Sequence, residues 1–160
     1  MNITTGSDPE FLIEDLTGKI VSCHTAGVLG TKDSPHPLSF GHVHRDNVAM
    51  ELNVPPAKTE EEWITNHLRC LEEAVSEISD NYKYKVAQVS SAFLEEDELW
   101  HIEANISGCD ADYNAWNDTK NPVPKLMNSN LRVVGAHIHV GYDNPTHNFN
   151  LRIVKSMDLI

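Results

Sequence analysis

The sequence predicts an α+β domain: an antiparallel sheet with helices on its apolar face and a polar, open face opposite. Two observations predict it. Apolar and polar residues alternate at a period of two in 48–53, 99–106 and 135–142. Apolar residues also recur every three or four positions after a polar cap at Thr59 and again after 144–146. At 160 residues the chain is one domain in size and long enough to bury a core.

Gly6-Ser7-Asp8-Pro9 is turn chemistry leading into a short strand, Glu10-Phe11-Leu12-Ile13-Glu14, and Leu16-Thr17-Gly18-Lys19 reads as a hairpin turn into Ile20-Val21-Ser22. Residues 23–47 carry Gly, Pro, Ser and His without a period and read as a long functional loop. In 48–53, Val48, Met50 and Leu52 make an apolar face with Glu51 and Asn53 opposite, and Pro55-Pro56 is expected to end the strand. Thr59 with Glu62 is a capping-box signature, and Ile64, Leu68, Leu71, Val75 and Ile78 form the stripe expected to lie on the sheet. Residues 84–93 are β-rich, and Glu95-Glu96-Asp97-Glu98 reads as a solvated turn. The next strand is expected at 99–106, with Trp100, Ile102, Ala104 and Ile106 on one face and His101, Glu103 and Asn105 on the other. A polar loop, Gly108 to Trp116, precedes the histidine strand. A last helix starts at Asn144-Pro145-Thr146, with Phe149, Ile153, Met157 and Ile160 along its apolar side. That stripe runs to the final residue without a capping glycine, so the fold is expected to continue past 160.

Composition narrows the function. Twelve basic against 24 acidic residues give a formal charge of -12, which argues against nucleic acid or an anionic membrane as partner. No leader-like start and no long apolar run is present, so a soluble, cytoplasmic protein is expected. Three scattered cysteines, Cys23, Cys70 and Cys109, read as reduced thiols, two of them packing residues.

The chemistry centres on Gly135-Ala136-His137-Ile138-His139-Val140-Gly141-Tyr142. In a strand His137 and His139 share one face, and glycines beside them leave room for a metal or ligand to approach. Glu51 with Asn53, and His101 with Glu103, occupy the polar faces of other strands, so one sheet would gather all of them. Oxygen-rich sets with an occasional imidazole suit Mg²⁺ or Mn²⁺. Each piece alone is weak, since a single His-x-His is as often a packed pair as a metal site. The second one, His42-Val43-His44, lacks the Glu at cupin spacing and sits in loop-like surroundings.

Four stretches in order carry a family resemblance: Gly6 to Phe11, Asp46 to Asn53, Gly108 to Trp116 and Gly135 to Gly141. They resemble the phage-encoded carboxylate-amine ligases, COOH-NH2 ligase type 2, distant relatives of glutamine synthetase and the glutamate-cysteine ligases. Ala111 departs from the pattern, where proline is expected. The resemblance implies a curved antiparallel sheet of the glutamine-synthetase-like catalytic fold, with 1–160 a single ligase-like domain forming the front part of a longer one. It implies an ATP- and Mg²⁺-dependent enzyme that joins a small-molecule or peptide carboxylate to an amine through an acyl phosphate, in the cytoplasm of an infected bacterium. Homo-oligomers fit an unfinished sheet. Implied roles are Mg²⁺ ligation by Glu10, Glu51 and His137, then His139 and Glu103, with Glu10, Glu103 and His137 also facing the nucleotide. Glu51, Asn53, His139 and Asp46 serve catalysis, and Asp112 and Asn114 the substrate. The arginines are only Arg45, Arg69, Arg132 and Arg152, and no segment matches the late strands that hold phosphates in glutamine synthetase relatives. A degenerate, non-catalytic ligase module, a metal-dependent hydrolase on the same residues, and a plain α+β domain with hydrogen-bonded histidines are the rival readings.

Overall fold

The computed structural model describes residues 2–78, 83–106, 111–122 and 130–159, so Gly108, Cys109, Asp110 and Ile160 of the sequence reading lie outside it. The strands are β1 (Ile3–Ser7), β2 (Glu10–Phe11), β3 (Ile13–Asp15), β4 (Ile20–Val21), β5 (His36–Pro37), β6 (His42–Asp46) and β7 (Ala49–Ala57). After α1 (Glu60–Ile78) come β8 (Tyr84–Val86), β9 (Ser91–Phe93), β10 (Tyr113–Asn114), β11 (Thr119–Lys120), β12 (Leu131–Val133) and β13 (Ile138–Tyr142), then α2 (His147–Met157). This is an α+β arrangement of antiparallel sheets.

The main sheet runs β13-β1-β7-β6-β5, with β2 also paired to β7. The strand expected at 10–14 is split by Leu12. Leu12 and Ile13 are both fully buried, but in different apolar clusters, so the chain here leaves the main sheet for a second one, β4-β3-β8. The hairpin at 16–19 forms as expected, its turn held by Asp15 Oδ1, which accepts the N–H groups of Thr17 (2.8 Å) and Lys19 (3.0 Å).

Met50, Leu52 and Val54 face α1 across the larger cluster, each contributing roughly 1.5–3 kcal/mol by leaving water. The expected prolines do not end β7. They sit where its register against β1 slips, between Thr5↔Ala57 and Ser7↔Val54, and an irregularity is where a sheet tolerates proline. Thr59 caps α1 by accepting the N–H of Glu62 (3.2 Å), while Glu62 accepts that of Lys58 (2.8 Å).

The buried stripe of α1 is Asn66, Cys70, Ala74 and Ile78, whereas Ile64 (49 % exposed) and Leu68 (54 %) turn outward. Of the expected stripe, Leu71, Val75 and Ile78 do meet the core, while its N-terminal half yields to Asn66, Cys70 and Ala74, whose small side chains at 70 and 74 let the helix sit close on the sheet. Gly41 makes the same point from below: its φ is +99°, and a Cβ there would stand 2.6 Å from the Asn53 carbonyl and 3.0 Å from Cys70 Sγ. Burial pushes the Cys70 thiol up to about 11 and that of Cys23 up to about 12, so both are inert packing residues, as expected.

Three further expectations fail. Residues 23–47 are not one loop, since 36–46 form the hairpin β5–β6 at the edge of the main sheet. Residues 99–106 are not a strand. A 3₁₀ turn spans Ile102–Asn105, capped by His101, whose Nδ1 accepts the Glu103 N–H (3.2 Å), while the Asn105 amide donates to the carbonyls of Leu99 (2.9 Å) and His101 (3.1 Å). These local bonds replace ladder bonds and leave Trp100 (65 %) and Ile102 (73 %) exposed. Glu98 is no solvated turn residue: it is buried and accepts the Ser22 N–H at 2.9 Å.

α1 packs broadly on the main sheet, whereas α2 meets its edge strand at Tyr142, whose ring lies edge-on to Phe149 at 5.2 Å and whose hydroxyl donates to Asn150 Oδ1. None of the residues of α2 is buried, although Thr146 caps it as expected (3.3 Å to the Phe149 N–H). No described helix is long and apolar enough to cross a membrane.

Candidate functional site

Antiparallel register builds the site. Glu10 on β2 lies opposite Glu51 on β7, and Glu51 lies opposite His44 on β6. Residues directly opposite share a face, and Asp46, two positions along from His44, joins them. Carboxylate oxygens of Glu10, Asp46 and Glu51 lie within 4.8 Å of one another. Like charges directly opposite destabilise a sheet, so three acids gathered at buried or half-buried positions are arranged at the expense of stability.

These acids floor an open cleft of about 330 Å³. Asp8, His137, His139, Lys32, Ala111 and Asp112 complete its lining. β13 is the edge strand of the main sheet and pairs with β1, Gly6 lying opposite His139. Asp8 joins both imidazoles: Oδ1 accepts the His137 N–H (2.9 Å) and lies 3.2 Å from His137 Nδ1, while Oδ2 lies 3.1 Å from His139 Nε2. Glu10 ties the start of this segment down, its Oε2 accepting the Gly135 N–H at 2.9 Å. Gly141 makes room for a neighbouring strand rather than a ligand, since a Cβ there would meet Thr4 Oγ1 at 2.6 Å.

The acids are electrostatically unequal. Burial raises Asp46, helped by the hydrogen bond it shares with Glu51 and opposed by Lys32, whose Nζ lies 3.7 Å from Oδ2. Burial also raises Glu10, with Asp46 and Glu51 adding repulsion that the Gly135 N–H only partly offsets. In Glu51 burial is more than offset by the His44 imidazole and by Asp46, so its carboxyl sits below the usual range. Asp8 is lowered too, because the N–H of His137 and the two imidazoles outweigh its burial. Asp46 and Glu51 are thus pushed in opposite directions, as expected of paired carboxylates that share one site.

Of the residues singled out in sequence, the cleft brings together Glu10, Asp46, Glu51, Asp112, His137 and His139. Glu103 is not among them, because the segment expected to carry it into the sheet is a 3₁₀ turn. It belongs instead to a second cluster with His24 and His101. That cluster is tied to its own surroundings: His24 Nε2 lies 3.0 Å from the Asn47 carbonyl, the His24 and His101 rings stack at 3.8 Å, and Arg45 Nε, which makes no hydrogen bond among the described residues, lies 3.9 Å from Glu103 Oε2. Burial, then the adjacent His101, keeps His24 below its ordinary value and neutral. Asn53 does not line the cleft. Asn114 serves its own turn, its Oδ1 accepting the N–H groups of Trp116 (2.9 Å) and Asn117 (3.2 Å).

Two cleft residues escaped the sequence reading of the site: Asp8 reads as a turn residue and Lys32 lies in an aperiodic segment. His44, buried against Glu51 and not part of the cleft lining, belongs to the His-x-His set aside as loop-like. Arg132 is committed elsewhere: its guanidinium donates to the Ala104 carbonyl (2.6 Å) and to Asn47 Oδ1 (3.1 Å). No family model, curated protein or solved structure matches the chain.

Proposed function

We propose that the cleft binds Mg²⁺ or Mn²⁺ through Glu10, Asp46 and Glu51, and that the protein is an ATP-dependent carboxylate-amine ligase with a glutamine-synthetase-like sheet. The observation that carries the reading is the convergence of three carboxylates on adjacent strands, one lowered and two raised, in an open cleft. Oxygen donors fit a hard divalent cation, which would neutralise phosphoryl oxygens in a protein of net charge -12. In such a reaction the substrate carboxylate attacks the γ-phosphoryl group and ADP leaves. The amine then attacks the acyl phosphate and inorganic phosphate leaves. His137 and His139, held by Asp8, would take up the proton lost by the amine, and Asp112, also on the cleft lining, would contact the substrate.

The test is calorimetric titration of ATP with and without Mg²⁺ or Mn²⁺. Metal-dependent binding that disappears in Glu51→Gln supports the ligase site. Unchanged binding in that variant sinks it.

A second reading is favoured by one observation: Lys32 is the only Lys or Arg among the described residues lining the cleft. A cleft so poor in cations suits a metal-dependent hydrolase that does not consume ATP. Turnover with water as acceptor and no ADP formed would select it.

A further inference from the structure

We infer that His44 is a positioning residue that holds the Glu51 carboxylate in its metal-ligating orientation, an inference that rests on reading Glu10, Asp46 and Glu51 as a cation site. His44 lies directly opposite Glu51 and is 2 % exposed. Its Nε2 stands 3.3 Å from Glu51 Oε2, yet neither ring nitrogen makes a hydrogen bond among the described residues. The two groups are close but out of line. Buried polar nitrogens without a partner are rare in folded proteins, and an imidazole kept in that state beside a functional carboxylate calls for a reason.

Two roles are open to it: metal ligand, or support for a ligand. Distances decide between them. Two oxygens on one hard cation, at bond lengths of about 2.0–2.6 Å, stand up to about 4–5 Å apart. One oxygen from each of Glu10, Asp46 and Glu51 lies within 4.8 Å of the others, and no nitrogen of His44 joins that group. His44 therefore lies against Glu51 and outside the ligand set. A small turn of the carboxylate on ligation would bring Oε2 into line with Nε2, so that it could accept a hydrogen bond from the imidazole, as ligating carboxylates commonly do from a supporting residue. The sheet makes this support rigid, because His44 and Glu51 sit on paired strands, His44 all but excluded from solvent and Glu51 buried beside it.

The experiment is Mn²⁺ titration by calorimetry of the full chain and of His44→Leu, His44→Gln and Glu51→Gln, with thermal melting of each. Leucine fills the space without a donor, and glutamine keeps a donor of similar reach. The expected result is a 10–100-fold weaker affinity in His44→Leu, with His44→Gln within about threefold of the unmodified chain. Wild-type affinity in His44→Leu overturns the inference, and so does an equal loss in both variants, which would make the role one of packing alone. Should His44→Leu fail to fold, His44→Asn, whose amide is too short to reach Oε2, takes its place in the same comparison. If the unmodified chain itself does not bind Mn²⁺, the cation site falls and this inference with it. That result is distinct from a failure at His44 alone.

Discussion

Replacing Asp46 by Asn should stabilise the metal-free protein while abolishing its response to divalent cations. Three carboxylates crowd within 4.8 Å. Two unit charges at that separation repel by about 3.5 kcal/mol at an effective dielectric constant of 20. Lys32 at 3.7 Å offsets part of this, although that lysine is largely exposed and its attraction is screened, and burial raises Asp46 toward its neutral form. A net gain of about 1–2 kcal/mol remains. The asparagine amide also keeps a hydrogen-bond donor beside Glu51. For a domain of this size the gain raises the melting temperature by about 2–8 °C. Thermal melting in EDTA and then in excess Mn²⁺ checks both halves. The unmodified chain should gain about 2.7 kcal/mol at a Mn²⁺ concentration one hundred times its dissociation constant, and Asp46→Asn should gain nothing. A lower melting point for Asp46→Asn in EDTA, or an undiminished rise with Mn²⁺, would refute the assignment of these acids to a cation site.

Two further outcomes follow from the same geometry. The folded-state carboxyls of Glu10 and Asp46 lie above their unfolded values, so at these two groups the metal-free fold binds more protons than the unfolded chain, whereas at His24, Glu51 and Asp8, all held low, it binds fewer. The Asp46 contribution is isolated by difference: the gain of Asp46→Asn over the unmodified chain in EDTA should shrink as pH falls from neutrality toward about 4, where the unmodified Asp46 takes up its proton. Mn²⁺ binding should weaken over the same range, because ligation needs ionised carboxylates; melting temperature of both chains against pH with EDTA and with Mn²⁺ reads both, and a difference that grows toward pH 4 contradicts the electrostatics. Gly41→Ala should destabilise by about 1–3 kcal/mol, since it places a Cβ at positive φ and 2.6 Å from a carbonyl oxygen of β7, and a denaturant midpoint unchanged within error would refute the close packing of α1 on the sheet.

How far the sequence reveals this molecule depends on which residues face inward. The alternation in 48–53 is legible because Met50 and Leu52 find a core beneath α1, so pattern and burial agree. The same alternation in 99–106 misleads, because His101 and Asn105 offer the backbone nearby hydrogen-bond partners and a 3₁₀ turn takes them. On α1 the period is legible and the face only in its C-terminal half, since Cys70 and Ala74 carry too little hydrophobicity to outvote Ile64 and Leu68 on paper, yet their small size decides how near the helix lies.

The strand β6 is the instructive failure. Its buried side chains are Val43, His44 and Asp46, so an apolar period never develops and the segment reads as loop. Pairing with β7 along its whole length, and not its own composition, makes it a strand. The residues that hide the strand are also those that serve the site: Asp46 supplies a carboxylate and His44 lies against Glu51. A site built on a sheet replaces the apolar residues by which that sheet is recognised. Glu51, His137 and His139 could be found because their neighbours kept the alternation; Glu10 and Asp46 could be found only through the resemblance. His44, with neither support, becomes visible only when the register sets it opposite Glu51.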